Sequence, residues 1–449
     1  MIKRYIGIIS DNSIDMIHLI VDVWNSDDCV VIIDWRQPLC FIREAVLLSK
    51  ISTCYLDKIN YLKMAEALRE ICSVKLIEGD SQRNRLEYPA EWLSSFVDRY
   101  TTDDALILFS SGTTGKAKGI VLSHYAINTN ADAIIQRLNL TKTDILGIIK
   151  PLTHSSTIVG EMLVALKTKQ TFIVCPLVYS MRSLVRILAQ YKVNIIFVNP
   201  FLLDMLTNTA PIHEMNALKK IYVSGEMLSQ CLLMKVRFRF PYMAVYNMYG
   251  LTEAGPRVTM QDQMNPTDIS VGRCIHGVSV EIRNDYGHVL GPYSTGSIFV
   301  NTPSRFTRII GEKDNRENKG DFFETGDVGY WDKEKNLHIV GRQDTMLVIR
   351  AHNIYPESLE ERLLYGCPYV KECMILKDEK TNGLICHFIA MSVDMDESEI
   401  KRKIYRFCLE NFASYEIPSN FIQVEALPRN HNGKKLRKLS SKISDGREG

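Results

Sequence analysis

Short runs rich in valine and isoleucine, Cys29 to Ile33, Ala105 to Phe109, Thr171 to Cys175 and Asn194 to Val198, alternate along this chain with longer amphipathic stretches. Runs of this length and β-branched content read as strands buried on both faces, and helical stretches between them read as crossover connections. The alternation predicts an α/β fold with largely parallel sheets. Within it, Ile127, Ala131, Ile134, Ile135 and Leu138 fall at helical spacing behind Ser123, a residue suited to cap a helix start.

The texture changes from about Val271 to Ile349. VSVEIRNDYGHVL, GSIFV and LHIVGR are short alternating segments broken by Asn-Asp, Tyr-Gly and Lys-Asn turns, which predicts a smaller antiparallel sheet or barrel. Beyond Gly341, Pro356 to Leu364 reads as a helix, and Glu372 to Leu376 and Leu384 to Met391 read as strands. A compact C-terminal domain of about 100 residues suits that pattern. The basic, polar stretch after Leu439 reads as a solvated tail.

Composition narrows the functional classes. With 449 residues the chain can hold two or three domains and a large core. Hydrophobic residues at 46% and charged residues at 24% place it among soluble globular proteins. Its 54 basic and 52 acidic side chains leave a formal charge of +2, so no long-range field favours nucleic acid or anionic lipid. Eleven cysteines without a CxxC pair fit reduced thiols. The opening MIKRYIGIISDNS is too short in apolar residues for a secretory core, and no apolar run reaches the roughly 18 residues of a membrane span. A cytoplasmic protein is expected.

The segment most informative about chemistry is LILFSSGTTGKAKGIVLSH, Leu106 to His124, in which an apolar strand enters a loop of Ser110, Ser111, Gly112, Thr113, Thr114, Gly115 and Lys116. Such a loop can wrap phosphates, because glycines let backbone N–H groups converge while hydroxyls and Lys116 or Lys118 add donors. It is not a Walker loop, since Ala117 follows Gly115-Lys116 where Ser or Thr would be needed.

SSGTTGKAKG resembles the phosphate-loop signature of the superfamily of acyl-CoA synthetases, adenylation domains and luciferases, with Ala117 where relatives usually have Pro. Further segments resemble the same superfamily in the expected order. YNMYGLTEAGP, Tyr246 to Pro256, is similar to its aromatic-Gly-x-Thr-Glu segment, which implies Tyr249 beside adenine, Thr252 near the α-phosphate and Glu253 on Mg²⁺. A carboxylate is a suitable ligand for such an ion. FFETGDVGYWD resembles the Thr-Gly-Asp motif, which implies that Asp327 accepts hydrogen bonds from the ribose hydroxyls. IVGRQDTMLVIRAHNIYPESLEE resembles the hinge region, implying Arg342 at the ribose or phosphates and Asp344 as the pivot. LPRNHNGKKLRKL resembles the C-terminal motif of the catalytic lysine, which makes Lys434 the candidate and Lys435 its nearest confounder.

Two further matches concern the acid. PLTHSSTIVG, Pro151 to Gly160, is similar to the Pro-Leu-x-His segment of acyl-CoA synthetases and implies His154 at the acyl pocket. YVSGEMLS resembles the strand and loop that form a pocket wall and reach adenine, implicating Ser224, Gly225 and Glu226, and Met248 and Gly250 are further candidates for the acyl pocket. No Asp suited to pair a substrate amine is evident there, which favours an acid without an α-amine. Arg350, Ala351 and His352 fall in the loop that approaches pantetheine in relatives, and Val348, Arg350 and Ala351 depart from the usual Lys and Ser-Gly.

The resemblance covers nearly the whole chain, is closest in pattern to acyl- or aryl-CoA ligases, and starts late, so the N-terminal portion is shortened. It implies stacked, largely parallel sheets with helices over residues 1–343, a β-rich subdomain at about 271–341, and a mobile α+β C-terminal domain at 344–449. It also implies ATP-dependent activation of a small carboxylic acid to an acyl-adenylate, with Mg²⁺, followed by transfer to coenzyme A. Loading the phosphopantetheine of a holo carrier protein is the alternative, and a non-catalytic adenylate-binding scaffold is a third reading. Nucleic acid and membrane insertion are not expected, and oligomeric state is left open.

Overall fold

The computed structural model describes residues 3–79, 85–86, 95–111, 117–177, 180–262, 268–311, 320–349, 352–378, 381, 383–391, 395–429, 433 and 435–437. Among them the first sheet runs, edge to edge, Arg308–Ile310, Ala117–Ser123, Asp104–Ser111, Cys29–Ile32, Tyr5–Ile9, Thr53–Leu56 and Ser73–Leu76. Its five members from Asp104–Ser111 to Ser73–Leu76 pair in parallel, and the inner ones, such as Cys29–Ile32, are the buried apolar runs that such sheets favour. The hairpin Asp104–Ser111 to Ala117–Ser123 is antiparallel, with Ser110 opposite Lys118 and Ser111 opposite Ala117.

The second sheet holds Arg273–Cys274, Arg257–Met260, Ala244–Gly250, Lys220–Val223, Ile195–Val198, Ile145–Ile148, Thr171–Val174 and Arg85–Leu86 in that order. Its central strands are parallel, so their C-terminal ends lie along one edge.

Helices fill the space between the two sheets. His124–Leu138 begins as its spacing predicts: the Ser123 hydroxyl accepts the Ala126 N–H, and Ala126, Ile127, Ala131, Ile134 and Leu138 are buried. Ile14–Asn25 buries Ile17, Ile20 and Trp24, and the Trp24 indole N–H reaches the Ala105 carbonyl at 2.8 Å. One continuous apolar cluster joins these helices to both sheets.

The predicted β-rich stretch is a four-stranded antiparallel sheet, Ser279–Arg283, Gly296–Asn301, Phe323–Trp331 and Leu337–Arg342. The C-terminal portion carries a small hairpin, Leu347–Ile349 with His352–Ile354, then the helix Pro356–Gly366 and the strands Val370–Asp378 and Gly383–Ala390. A helix, Glu397–Asn411, and a parallel strand, Asn420–Gln423, complete it beyond what the sequence reading assigned. The helix buries Ile400, Ile404 and Cys408, a narrow i, i+4, i+8 stripe in an otherwise charged segment.

Candidate active site

Parallel α/β sheets offer ligand sites outside the C-terminal ends of their strands. Along that edge of the second sheet emerge Pro151 to His154 after Ile145–Ile148, Asn199 after Ile195–Val198, Ser224 to Glu226 after Lys220–Val223, and Gly250 to Glu253 at the end of Ala244–Gly250. Four separate sequence segments are thereby brought to one edge.

The Thr252–Ala254 turn is tightly held. Leu251 donates its N–H to the Pro256 carbonyl at 2.9 Å, and the Glu253 carbonyl accepts the Phe306 N–H at 3.0 Å. Gly250 permits this closure, because a Cβ there would lie 2.2 Å from the Pro256 oxygen. The Thr252 and Ser155 hydroxyls stand 3.0 Å apart, linking this turn to the segment of His154. His154 sits at the start of a short helical turn, its carbonyl accepting the N–H groups of Thr157 and Ile158. Asn12 braces that segment from the first sheet, donating to the Lys150 carbonyl at 2.8 Å and accepting the Leu152 N–H at 2.9 Å. Ser224 is buried, with its N–H on the Val198 carbonyl at 3.0 Å. Gly225 follows at φ +100°, a conformation that favours glycine, and Glu226 is half-buried beside it. Met248 is buried opposite Met260.

A second group of predicted residues forms one hydrogen-bonded chain. Asp327 lies opposite Arg342 in the antiparallel register of Phe323–Trp331 and Leu337–Arg342. The Tyr249 hydroxyl donates to Asp327 Oδ2 at 2.6 Å, and Arg342 Nη1 donates to Oδ1 at 3.1 Å. Arg342 Nε reaches on to Asp344 at 2.9 Å. Burial, with the Asp327 charge beside it, holds the Tyr249 phenol well above its ordinary range, so it stays a donor. Burial works against the Arg342 charge, but Asp327 and Asp344 outweigh it. A carboxylate is an acceptor at both oxygens, the chemistry that hydroxyl donors require.

The C-terminal motif packs against the large sheet portion. Gly433 adopts φ +85°, and a Cβ there would lie 2.4 Å from Phe201 Cδ1. Arg429 stands 5.1 Å from the centroid of the same ring and donates to the Gly433 carbonyl at 2.6 Å. Lys435 is committed elsewhere: its ammonium bonds the Cys373 carbonyl at 2.7 Å and Glu360 at 3.2 Å, and Arg437 holds the other Glu360 oxygen at 2.6 Å.

Gly112, Thr113, Thr114, Gly115, Lys116, Arg350, Ala351 and Lys434 lie outside the described residues, and Ser110 and Ser111 are described by their backbone alone. His352 stacks on Tyr415 at 3.8 Å between centroids, within the C-terminal portion. The sequence reading missed three features. These are the Tyr249–Asp327 contact, the hydroxyl pair Ser155 and Thr252, and a buried cluster of Lys150, Glu161 and Arg257. For the last, the signal was there: one Glu inside IVGEML and one Arg inside GPRVTM, each among apolar neighbours.

A profile of the AMP-binding enzymes matches residues 3–308. The chain belongs to the AMP-binding enzyme family. Its similar relatives include a 2-succinylbenzoate–CoA ligase of Lactococcus lactis, 28% identical over 340 residues that cover 74% of this chain and 70% of the relative. The 4-coumarate:CoA ligase 1 of Petunia hybrida is 26% identical over 420 residues, 88% of this chain and 75% of the relative. In fold, this AMP-binding enzyme is similar to the anthranilate CoA ligase AuaEII in complex with anthranoyl-AMP, at TM-score 0.84, 16% identity, and 98% and 87% coverage of the two chains. It is equally similar to ATP-bound MatB of Rhodopseudomonas palustris, at TM-score 0.84, 18% identity, and 99% and 90% coverage. Among the described residues no helix is long and apolar enough to cross a membrane.

Proposed function

We propose that this AMP-binding enzyme is an acid–thiol ligase that uses ATP to activate a carboxylic acid and passes the acyl group to coenzyme A. The observation that carries the reading is the convergence at one sheet edge of the His154, Ser224–Glu226 and Thr252–Glu253 segments, beside the Tyr249–Asp327–Arg342 chain. Membership of the family, with coenzyme A ligases among its relatives, supports it.

The donor set fits a nucleotide and a hard cation: the Asp327 carboxylate is an acceptor of the kind ribose hydroxyls take, and Glu253 brings a carboxylate of the kind Mg²⁺ takes. Bound there, Mg²⁺ would neutralise phosphate charge. The loop Ser110 to Lys116, with Glu226 on the adenine side, holds the nucleotide. Thr252 reaches the α-phosphate, and His154 with Ser224, Gly225, Met248 and Gly250 walls the acid. The acid's carboxylate oxygen attacks the α-phosphorus and pyrophosphate leaves, with Lys434 stabilising the charge that develops on the phosphoryl oxygens. The thiolate then attacks the carbonyl of the mixed anhydride and AMP leaves.

Residues 1–343 form the adenylation portion and 344–449 a domain that turns about Asp344 between the two steps, withdrawing Lys434 and bringing Arg350, Ala351 and His352 to the thiol. A carrier-protein phosphopantetheine is the second candidate thiol, since Ala351 adds a methyl where relatives have glycine. All eleven cysteines are free, which supports a reducing, cytoplasmic location.

The test is acid-dependent exchange of labelled pyrophosphate into ATP across aliphatic and aromatic acids, followed by mass detection of the coenzyme A thioester. Exchange with no acid, in protein shown to bind ATP, would exclude the proposal. Acylation of a holo carrier protein alone would move the second step to that thiol.

A further inference from the structure

Three charged side chains, Lys150, Glu161 and Arg257, are brought together in the interior. Arg257, first residue of the strand Arg257–Met260, is 1% exposed, Glu161 is 1% exposed and Lys150 is 7% exposed. The Lys150 ammonium lies 3.0 Å from Glu161 Oε1 and 3.4 Å from the Ser156 hydroxyl. Glu161 belongs to Ile158–Leu163, one turn of π-helix, a geometry often found at functional positions.

Arg257 is the unusual member. Its backbone is satisfied by Asn130, which accepts the Arg257 N–H at 2.9 Å and donates to its carbonyl at 3.0 Å. Its Nε and Nη2, however, are buried without a hydrogen-bond partner among the described residues. These two nitrogens form the side edge of the guanidinium, the fork that matches the two oxygens of a carboxylate. Glu161 does not fill it: that carboxylate lies nearest Lys150, and its second oxygen is itself unpartnered among the described residues. Burial pushes Arg257 down to about 10, with Glu161 opposing, and burial lowers Lys150 and raises Glu161. Two cations against one carboxylate leave a surplus positive charge in a dry site, an arrangement that is costly unless an anion completes it.

The cluster hangs from the segments that wall the acid. Lys150 directly precedes Pro151 to His154, and Arg257 directly follows the turn of Gly250 to Pro256. A Cβ placed on Gly160 would lie 3.4 Å from Arg257 Nη2, so the guanidinium reaches the turn that follows His154. Resting on the acid-activation reading above, we infer that Arg257, with Lys150 and Glu161, is a specificity determinant selecting a dicarboxylic acid, its second carboxylate held on the Nε–Nη2 edge of Arg257. One added negative charge brings the cluster to neutrality; a phosphate dianion would overshoot it. A hydrocarbon tail would leave the fork buried and unpaired, which is the strongest form of discrimination a binding site offers.

The experiment uses the full chain with ATP and MgCl₂ in pyrophosphate exchange, comparing matched pairs: succinate with butyrate, glutarate with pentanoate, and phthalate with benzoate. The wild type is expected to favour the better diacid over its monoacid partner by on the order of 100-fold or more in kcat/KM. Arg257→Met is expected to erase or invert that ratio, with Lys150→Met shifting it in the same direction. A wild type that prefers the monoacids, or an Arg257→Met enzyme that keeps the ratio, overturns the inference while leaving acid activation standing. Exchange with no acid of either kind overturns the activation reading and the inference together. If Arg257→Met fails to fold by circular dichroism, the wild-type ratios alone decide.

Discussion

Glu361 accepts a hydrogen bond of 2.6 Å from the backbone N–H of Gln230, so a carboxylate on the helix Pro356–Gly366 caps the first turn of the helix Gln230–Arg239. Its neighbour Glu360 faces the opposite way, into the C-terminal core, where Lys435 and Arg437 grip it. Two adjacent glutamates thus serve different bodies of structure, and their carboxyl groups shift in opposite directions.

Burial pushes the Glu361 carboxyl up, with the Gln230 N–H and Lys435 opposing. The packed form therefore binds its proton more tightly than the separated form. The contact is fully favourable below the ordinary glutamate range and weakens as pH rises through the elevated value. Trypsin cleavage between the two portions should accelerate over that interval, and Glu361→Gln should flatten the pH response. An unchanged profile in Glu361→Gln would remove this carboxyl from the contact.

Glu360 titrates with the other sign. Burial opposes its ionisation, but Lys435 and Arg437 outweigh burial and hold the carboxyl below its usual range. Its stabilisation is present above the ordinary glutamate value and is lost as pH falls through the depressed one. Lys435→Ala should cost about 2 kcal/mol in denaturant unfolding, because Glu360 then keeps one cation of two. Lys434→Ala should leave stability within about 0.5 kcal/mol and lower pyrophosphate exchange on the order of 100-fold. Thioester formation from supplied acyl-adenylate should survive Lys434→Ala, and equal loss of both steps would contradict the turning-domain account.

Tyr249→Phe removes one donor from Asp327 and keeps the ring. Stability should fall by about 1 kcal/mol. On the proposed assignment of Asp327 to the ribose, ATP affinity, read by calorimetry, should fall with it, since the carboxylate loses its orienting contact. Wild-type ATP affinity in a destabilised Tyr249→Phe protein would separate Asp327 from the nucleotide.

Gly433→Ala places a methyl group against Phe201 at a backbone angle that disfavours side chains. The left-handed conformation alone costs about 1–2 kcal/mol. Unfolding stability should fall by about that amount, and on the proposed role of Lys434 adenylation should drop as well. Phe201→Ala in the same protein should restore part of the activity, and no restoration would show that the ring is not the obstacle.

The sequence carried the sheets well, because continuous β-branched runs such as Cys29–Ile32 and Ile195–Val198, set between amphipathic stretches, are what buried parallel strands look like. It carried the site as separate segments. What it did not carry was the joining of segments far apart in the chain. Tyr249 finds Asp327 only because an antiparallel sheet closes over the end of a parallel one, and Asn12 reaches Lys150 across two sheets. The helix Glu397–Asn411 escaped because three buried positions in a charged segment give a narrow stripe. The Lys150–Glu161–Arg257 cluster was visible as charges among apolar residues, yet which charges met depended on a π-helical turn that no local pattern announces.

The hydroxyls of Ser155 and Thr252 form one hydrogen bond, in which either can be the donor. On the proposed assignment, one belongs to the wall of the acid and the other to the phosphates, so a ligand that claims either oxygen changes what the other can offer. Whatever factor the acid imposes on nucleotide affinity, the nucleotide must then impose on the acid. Order of addition would set the kinetics of filling the site, while the ternary complex remains a single thermodynamic destination.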